Sequence, residues 1–261
     1  MKIYTKDSLI TVLKEIRDRG WIPNARPGNA GGVGNTLEDL LGIEENNLPI
    51  PNAAEWELKA QRSTTSSLTT LLHMEPSPRA LRIVPKILLP NYGWRHESAG
   101  ITYPLTEMSF RQTISGLAHS DRGFIVKIDD FSRKVVVSFD YNKVGMKHKE
   151  WVEMVDEKIG LDELNPQPYW GFDDLYHKAG TKLLNTFYVQ AEVLWQNGIE
   201  FFHYNRIYIL RGFRIENLTQ AILDGDIFVD FDARTHHNHG TKFRLRQNLL
   251  PKLYSDIQEI I

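Results

Sequence analysis

The sequence GGVGNTLEDLLGIEENNLPIPNAAEWELK, residues 31–59, carries most of the information on how this chain folds. Residues 36–41 have the pattern of a short helix, and Gly42 marks its end. Pro49 and Pro51 then interrupt the chain. Residues 55–60 alternate apolar and charged side chains, and this period of two predicts a strand.

Glu57 and Lys59 lie two residues apart on the predicted strand, so both side chains point to the same face. Trp56 and Leu58 point to the other face, toward a core. A bare Glu-x-Lys is usually a solvated strand face. The alternative is a hydrolytic site, in which the carboxylate holds a divalent cation and the lysine orients an attacking water. A proline-led turn before the strand and Glu38 on the preceding helix can supply further ligands.

The rest of the chain combines both kinds of element, which predicts an α/β fold, or α+β with a mixed sheet and several antiparallel pairs. Leu9, Leu13 and Ile16 recur at helical spacing, with Thr5 or Asp7 as caps and Gly20 as the stop. Residues 122–140 have the pattern of a hairpin. Further helices are predicted at 147–160, 179–197, 216–223 and 250–260, and strands at 199–204, 206–212, 226–232 and 241–246, the last two joined by a turn at 237–240.

Composition excludes several classes of protein. With 261 residues, 41% hydrophobic, and without repeats or a long linker, we expect one continuous domain. The sequence contains no cysteine, which excludes a disulfide scaffold, a zinc ribbon and thiol catalysis. No apolar run approaches the roughly 20 residues of a membrane span, and the N-terminus lacks the apolar core of a signal peptide. We therefore expect a cytoplasmic protein.

The net charge of −2 argues at first against a nucleic-acid partner, since DNA-binding domains are usually basic. The charge is, however, unevenly distributed. Residues 28–58 contain six carboxylates and no cation, a local sum of −6. Residues 233–252 contain five cations and no carboxylate, a local sum of +5. A near-neutral total therefore does not exclude nucleic acid.

The basic segment has a pattern suited to reading base edges. Lys242, Arg244 and Arg246 alternate with Phe243 and Leu245, so that three cations share one strand face. Arginine pairs with guanine, and aspartate accepts a hydrogen bond from cytosine. The alternative is an exposed basic strand with surface ion pairs. A metal cluster of the nearby histidines is disfavoured, because a tight turn scatters their side chains.

The ordered combination of these motifs resembles the PD-(D/E)XK nucleases, in the form shared by the MutH nicking enzyme and the MvaI/BcnI restriction endonucleases. The string GGVGNTLEDLLGIEENN at residues 31–47 is closer to the MvaI/BcnI group. The resemblance implies a restriction-endonuclease-like core with an added DNA-recognition lobe. The catalytic lobe would include about residues 1–90 and the recognition lobe about residues 200–253.

The resemblance also implies an activity. Members of this group are described as monomeric type II enzymes that cut double-stranded DNA at CC(A/T)GG or CC(C/G)GG, one strand at a time, with Mg²⁺. A cognate DNA methyltransferase would be functionally paired with the enzyme without binding it. A MutH-like nicking enzyme and a DNA-binding protein that no longer cuts are the alternatives.

Carried over to this chain, the resemblance implies that Glu57 is a metal ligand, that Lys59 positions the water and that Glu38 supports one of them. Asn52 departs from the pattern, because the family has a metal-binding aspartate there. Either this is an inactivated form, or a natural homologue takes its second carboxylate from Glu55 or Glu38. With Asn52, Mg²⁺ affinity and turnover should fall while DNA binding persists.

A second set of residues is expected to contact DNA through base edges or phosphates. It comprises Arg62, His73, Asp230, Asp232, Arg234, His237, His239, Lys242, Arg244 and Arg246. For His73, a purely structural role is the alternative to a minor-groove contact.

Overall fold

A computed structural model of the chain describes residues 4–29, 31–43, 56–64 and 67–260, except for the side chains of residues 181 and 182. Its α-helices are α1 (Lys6–Asp18), α2 (Gly32–Leu41), α3 (Leu89–Tyr92), α4 (Lys149–Ile159), α5 (Phe172–Leu183) and α6 (Ile215–Leu223). Single turns of 3-10 or π helix occur at Arg79–Leu81, Val84–Leu88, Met146–His148 and Leu250–Leu253. None of the helices in these ranges has the length and apolar character needed to cross a membrane.

The strands within the described residues belong to three sheets. They are β1 (Ile22–Pro23), β2 (Glu57–Arg62), β3 (Thr69–His73), β4 (Trp94–Arg95), β5 (Met108–Ser115), β6 (Arg122–Asp129), β7 (Lys134–Val144), β8 (Tyr169–Gly171), β9 (Asn185–Gln196), β10 (Ile199–Phe213), β11 (Ile227–Arg234), β12 (His237–Leu245) and β13 (Tyr254–Glu259). Helices combined with sheets of mixed strand direction confirm the predicted α+β class.

The chain forms two compact units. The first comprises Met1–Thr69, Tyr176–Asn217 and Arg246–Ile261, and the second comprises Thr70–Leu175 and Leu218–Leu245. In the first unit the strand order is β1-β10-β9-β2, with β13 also paired to β10. The β2–β9 pair is parallel and its neighbours are antiparallel. The apolar stripes of α1 and α2 pack with this sheet in one hydrophobic core.

The two helices of this core follow from their sequences. In α1, the Thr5 hydroxyl accepts a hydrogen bond from the Ser8 amide at 3.2 Å, which confirms the predicted Thr5 cap. Helix α2 ends at Gly42 as predicted, with φ +66°, but it begins at Gly32 rather than at residue 36. Burial of Val33 with Leu37 extends it by one turn, although glycines at residues 32 and 34 give that turn a weak intrinsic preference.

In the second unit the described strands form sheets with the orders β3-β12-β11-β5-β4 and β6-β7-β8. The predicted hairpin at 122–140 is confirmed as β6 and β7, which pair in antiparallel register. The predicted helix at 147–160 is confirmed as α4. The predicted turn at 237–240 was wrong, because β12 already begins at His237. The chain reverses instead at residues 235 and 236, where His236 adopts φ +59°.

Two other predictions from helical periodicity were wrong. The helix predicted at 179–197 consists of α5 up to Leu183 and the strand β9 from Asn185 onward. β9 lies between β10 and β2, and its consecutive residues 186–191 are buried. The sequence therefore lacks the alternation of apolar and polar residues typical of a strand, and its apolar residues also fit helical spacing. The helix predicted at 250–260 is a 3-10 turn followed by β13, which pairs with an edge of β10 that no local pattern reveals.

Candidate functional site

Strand β2 places Glu57 and Lys59 beside β9. In the parallel register, Glu57 lies opposite Thr186 and Lys59 lies opposite Tyr188. Leu58, between them in sequence, is buried in the hydrophobic core of the first unit. Because side chains alternate along a strand, Glu57 and Lys59 point away from that core together.

The two charged side chains contact each other. Lys59 Nζ lies 2.7 Å from Glu57 Oε1. The Glu57 side chain has no exposed surface, whereas that of Lys59 is 20% exposed. A carboxylate removed from water needs a charged partner, and the Lys59 ammonium supplies it. The structure thus brings together the two residues at the centre of the predicted catalytic site.

Tyr254 adds a buried hydroxyl to this neighbourhood that the sequence did not reveal. Its hydroxyl and the Thr186 hydroxyl are hydrogen-bonded at 2.7 Å, and Thr186 lies opposite Glu57. Burial raises the pKa of the Tyr254 phenol above its usual range, and the negative charge of Glu57 raises it further. The phenol therefore stays protonated at neutral pH and adds no second negative charge beside Glu57.

The described residues fit a divalent cation in part. Glu57 is a carboxylate, the hard oxygen ligand that such cations take. Glu38 is half-buried on α2, the helix that packs against β2. Asn52 and Glu55 lie outside the described residues. Within residues 4–29, 31–43, 56–64 and 67–260, no three histidine or carboxylate side chains form a preassembled metal site. Glu57 is thus one available ligand for a divalent cation. The other ligands that would complete the site stay a prediction.

Arg62, at the end of β2, is held within the first unit. Its Nε and Nη2 donate to the two carboxylate oxygens of Glu200 at 2.8 and 3.0 Å. Its guanidinium also lies over the ring of Phe202, 5.2 Å from the centroid. Glu200 accepts another hydrogen bond from Asn24 Nδ2 at 2.7 Å. These bonds, that of Arg62 above all, hold the pKa of the Glu200 carboxyl below its usual range.

Arg246 is exposed and lies in the first unit, directly after β12. The side chains that follow it bind the neighbouring strands. Gln247 Nε2 donates to the Arg62 carbonyl at 2.6 Å, and Asn248 Oδ1 accepts from Gln190 Nε2 at 2.8 Å. The segment after β12 is therefore attached to β2 and β9.

In the second unit, one side of the β5–β11–β12 sheet carries mostly charged side chains. Along β11, buried and partly exposed residues alternate strictly from Ile227 to Arg234. We call the partly exposed side the polar face, which is formed by Arg111, Thr113, Asp230, Asp232, Arg234, Lys242 and Arg244. Most of these residues line an open pocket of about 370 Å³. Four cations and two carboxylates give the polar face a sum of +2.

Ion pairs across the strands order the polar face. Asp232 contacts Arg111 Nε at 2.7 Å and Lys242 Nζ at 3.4 Å. Asp230 contacts Arg244 Nη1 at 3.3 Å. The two aspartates therefore fix the directions in which these three cations project. Such a lattice is a preorganised surface for hydrogen bonding to a planar partner.

Arg234, at the end of β11, is oriented by groups outside the three strands. Its Nη1 donates to Glu107 Oε1 at 2.9 Å, and its guanidinium carbon lies 4.6 Å from the centroid of the Tyr103 ring. Glu107 is buried, whereas the Arg234 side chain is 27% exposed. The arginine is thus held on one edge and one face while part of it reaches solvent.

The three histidines of the predicted DNA-contacting set lie on strands of one sheet. His237 and His239 are both exposed on β12, with ring centroids 4.2 Å apart. His73 is exposed at the end of β3, which neighbours β12. The structure thus gathers His73, His237, His239 and the polar face in the second unit, while Arg62 and Arg246 belong to the first. Their predicted roles stay predictions.

Comparison with known proteins identifies the family. The profile of the MvaI/BcnI restriction endonuclease family matches residues 10–254. The chain belongs to this family. No curated protein matches it. The match covers nearly the whole chain, so the resemblance inferred from residues 31–59 is confirmed, and the chain is a site-specific deoxyribonuclease of the restriction endonuclease type.

Two solved structures of MvaI itself are similar to this chain. The structure of the MvaI–cognate DNA substrate complex has a TM-score of 0.75 at 25% identity, with 99% of this chain and 100% of that chain covered. The structure of MvaI in the absence of DNA has a TM-score of 0.58 at 25% identity, with both chains fully covered. The fold is therefore shared with a restriction endonuclease over its whole length.

Within this member of the MvaI/BcnI family, sequence reasoning missed the contributions of β5 and of the loop before it. Arg111 and Thr113 on β5 contact Asp232 and Asp230 directly. The apolar residues of this segment stand at positions 108, 110 and 114, and this spacing of two, interrupted only at position 112, is the signal that could have revealed the opposite face. Nothing local indicates Glu107, because its partner Arg234 is distant in sequence.

Proposed function

We propose that the protein is a PD-(D/E)XK enzyme that uses Mg²⁺ to hydrolyse phosphodiester bonds in a short duplex site of the CC(N)GG type, one strand at a time. The observation that carries this proposal is the buried Glu57–Lys59 pair on β2 of an MvaI/BcnI family member. A buried carboxylate with an ammonium 2.7 Å away combines a ligand for a cation with a donor for a phosphate or a water.

The chain's own residues have distinct tasks in this proposal. Glu57 offers its carboxylate as one ligand of the cation. Lys59 orients the attacking water and offsets the negative charge of the phosphate. Glu38, on the helix packed against β2, supports one of them. When bound, the cation supplies Lewis-acid stabilisation of charge on the phosphate.

The proposed partner is double-stranded DNA, and the polar face suits a site rich in G·C pairs. Its arginines can donate to guanine O6 and N7, and its aspartates can accept from cytosine N4. MvaI has been solved with its cognate DNA substrate, which supports the same partner for this relative. His73, His237, His239, Arg62 and Arg246 complete the proposed set of DNA contacts.

Asn52 requires a separate proposal, because the residue lies outside the described part of the chain. We propose that Asn52 weakens Mg²⁺ binding by removing one carboxylate from the site, as in an inactivated form. A native enzyme that uses Glu55 or Glu38 instead is the alternative. DNA binding survives or improves in both cases, since one negative charge near phosphate is removed.

The test compares the protein that carries Asn52 with its Asn52→Asp variant. Binding to a CCNGG duplex is measured in Ca²⁺, and cleavage is measured in Mg²⁺ with sequencing of the cut ends. Equal binding with much faster cleavage by Asn52→Asp supports both the site and the inactivation. Fast cleavage by both proteins supports Glu55 or Glu38 as the ligand. Binding without cleavage by either would leave a DNA-binding protein on a nuclease fold.

We further propose that the enzyme acts as a monomer and is paired in function, without physical contact, with a DNA methyltransferase. Analytical ultracentrifugation of the protein bound to a duplex with one site tests the monomeric state by measuring the number of chains per duplex. One protein chain per duplex is expected, and two chains per duplex would contradict it.

A further inference from the structure

Glu107 is a buried carboxylate whose partner, Arg234, is partly exposed to solvent. It precedes β5, is 5% exposed, and accepts a hydrogen bond from Arg234 Nη1 at 2.9 Å. A surface arginine needs no such partner to remain charged, and burying a carboxylate is costly. Burying Glu107 therefore costs stability and holds Arg234 in one orientation. This cost points to a functional role for that orientation.

The face of the same guanidinium is also held. The Tyr103 ring lies 4.6 Å from the Arg234 guanidinium carbon, and the His96 ring packs edge-on against Tyr103 at 4.8 Å. The backbone fastens this loop at both ends, since the His96 amide donates to the Glu107 carbonyl at 2.9 Å and the Met108 amide to the Thr235 hydroxyl at 2.8 Å. The support of Arg234 is therefore itself rigid.

Arg234 differs from the other cations of the polar face because its partner carboxylate is buried. Arg111, Lys242 and Arg244 are held by Asp230 and Asp232, which point from β11 into the same open face. Asp230 and Asp232 could themselves contact a base, whereas the buried Glu107 cannot. Its hydrogen bond occupies one of the five N–H donors of the guanidinium and leaves the others available.

We propose that Glu107 and Tyr103 are positioning residues that set the sequence specificity of this enzyme by aiming Arg234 at a guanine. This proposal rests on the proposed function. A guanidinium fixed in advance loses little conformational freedom on binding and meets guanine O6 and N7 only when the pair lies in register. Discrimination at one G·C pair, rather than overall affinity, is the property that Glu107 and Tyr103 control.

The test measures binding in Ca²⁺ to a CCNGG duplex and to duplexes in which each outer base pair is changed singly. Arg234→Ala is expected to lower the discrimination about 5- to 100-fold at one base pair. Glu107→Gln and Tyr103→Leu should lower it at that same base pair, with affinity for unrelated duplex unchanged. Tyr103→Phe, which keeps the ring, should behave as the wild type. Glu97→Gln, an exposed carboxylate in the same loop, is the matched control.

Several results would overturn the proposal. A lowered melting temperature in Glu107→Gln with unchanged discrimination would make Glu107 a structural residue only. An effect at a different base pair from that of Arg234→Ala would exclude action through Arg234. Additive effects in the double variant Glu107→Gln/Arg234→Ala would exclude it as well. If the wild type does not prefer any CCNGG duplex, the proposed site fails together with this inference. If the wild type discriminates, Arg234→Ala lowers the discrimination and Glu107→Gln leaves it unchanged, this inference fails while the proposed function stands.

Discussion

At the scale of single residues, Glu57 is buried at an energetic cost that Lys59 offsets. Its carboxylate has no exposed surface, and the ammonium 2.7 Å away is its charged partner. Removing one member of a buried ion pair leaves an uncompensated charge, whereas replacing both by neutral groups of similar size costs far less. The pair is thus costly for stability alone, which is consistent with a role in chemistry.

This reasoning predicts an asymmetric double-mutant cycle. Lys59→Met should lower the free energy of unfolding at pH 7 by about 3 kcal/mol, because it strands the Glu57 carboxylate. The double variant Glu57→Gln/Lys59→Met should recover most of that stability. Neither it nor either single variant should cut DNA, even when Asn52→Asp is also present. Urea unfolding measures the stability. A double variant less stable than Lys59→Met would contradict the account of the buried charge.

The Arg62–Glu200 pair predicts a dependence of stability on pH. Its hydrogen bonds lower the pKa of Glu200 in the folded state, so the stabilisation is present above the unfolded pKa of about 4.3 and is lost as pH falls through the folded value. Glu200→Gln should cost about 1.5–3 kcal/mol at pH 7 and progressively less in acid.

Unfolding of the wild type and Glu200→Gln at several pH values between 7 and 3 checks this prediction. Asp18→Asn is the control, because Asp18 pairs with Arg17 at an exposed position and its replacement should change little at any pH. A difference between wild type and Glu200→Gln that stays constant with pH would show that the ion pair is not its cause.

At the scale of elements, the sequence of a segment predicted the helices and strands that interactions within that segment determine. The capping residue and apolar spacing of α1 and the alternation of β11 lie within each segment. β9 depends in part on β2, and β13 depends on β10, and both of these partner strands are far away in sequence. β9 is buried on both faces, whereas β13 is added to an edge. The candidate site divides in the same way. Glu57 and Lys59 share a strand and could be predicted, whereas Glu107 and Tyr254 reach their partners only through the fold.

Two glycines test how backbone and packing constrain individual elements. Gly123, at a bulge in β6, has φ +77°, and a Cβ there would lie 2.4 Å from the Asp140 carbonyl oxygen. Gly123→Ala should therefore cost about 1–3 kcal/mol. Gly180, in α5, has open space around a Cβ, so Gly180→Ala should gain about 0.5–1 kcal/mol. Thermal unfolding of both variants measures these changes, and equal shifts would contradict the distinction between the two sites.

At the scale of the whole molecule, the total charge is a poor guide to the partner. A chain with net charge −2 should repel DNA at long range, yet the polar face of the second unit sums to +2. Counterion release depends on the phosphates neutralised locally, so the affinity should follow the polar face and not the total. This distinction can be tested by changing the total charge equally at two places.

Lys242→Gln/Arg244→Gln removes two cations from the polar face, and Lys14→Gln/Arg19→Gln removes two from exposed positions in or beside α1. Both variants have the same net charge. The first should reduce the slope of log affinity against log salt by about 0.9 for each phosphate that is no longer neutralised, and the second should leave it unchanged. The first variant should still fold, because Asp232 keeps its ion pair with Arg111 and Asp230 keeps its hydrogen bond with Thr113. Circular dichroism checks the folding of both variants. An equal reduction of the slope in both variants would mean that DNA responds to total charge, and the polar face would then have no special part in binding.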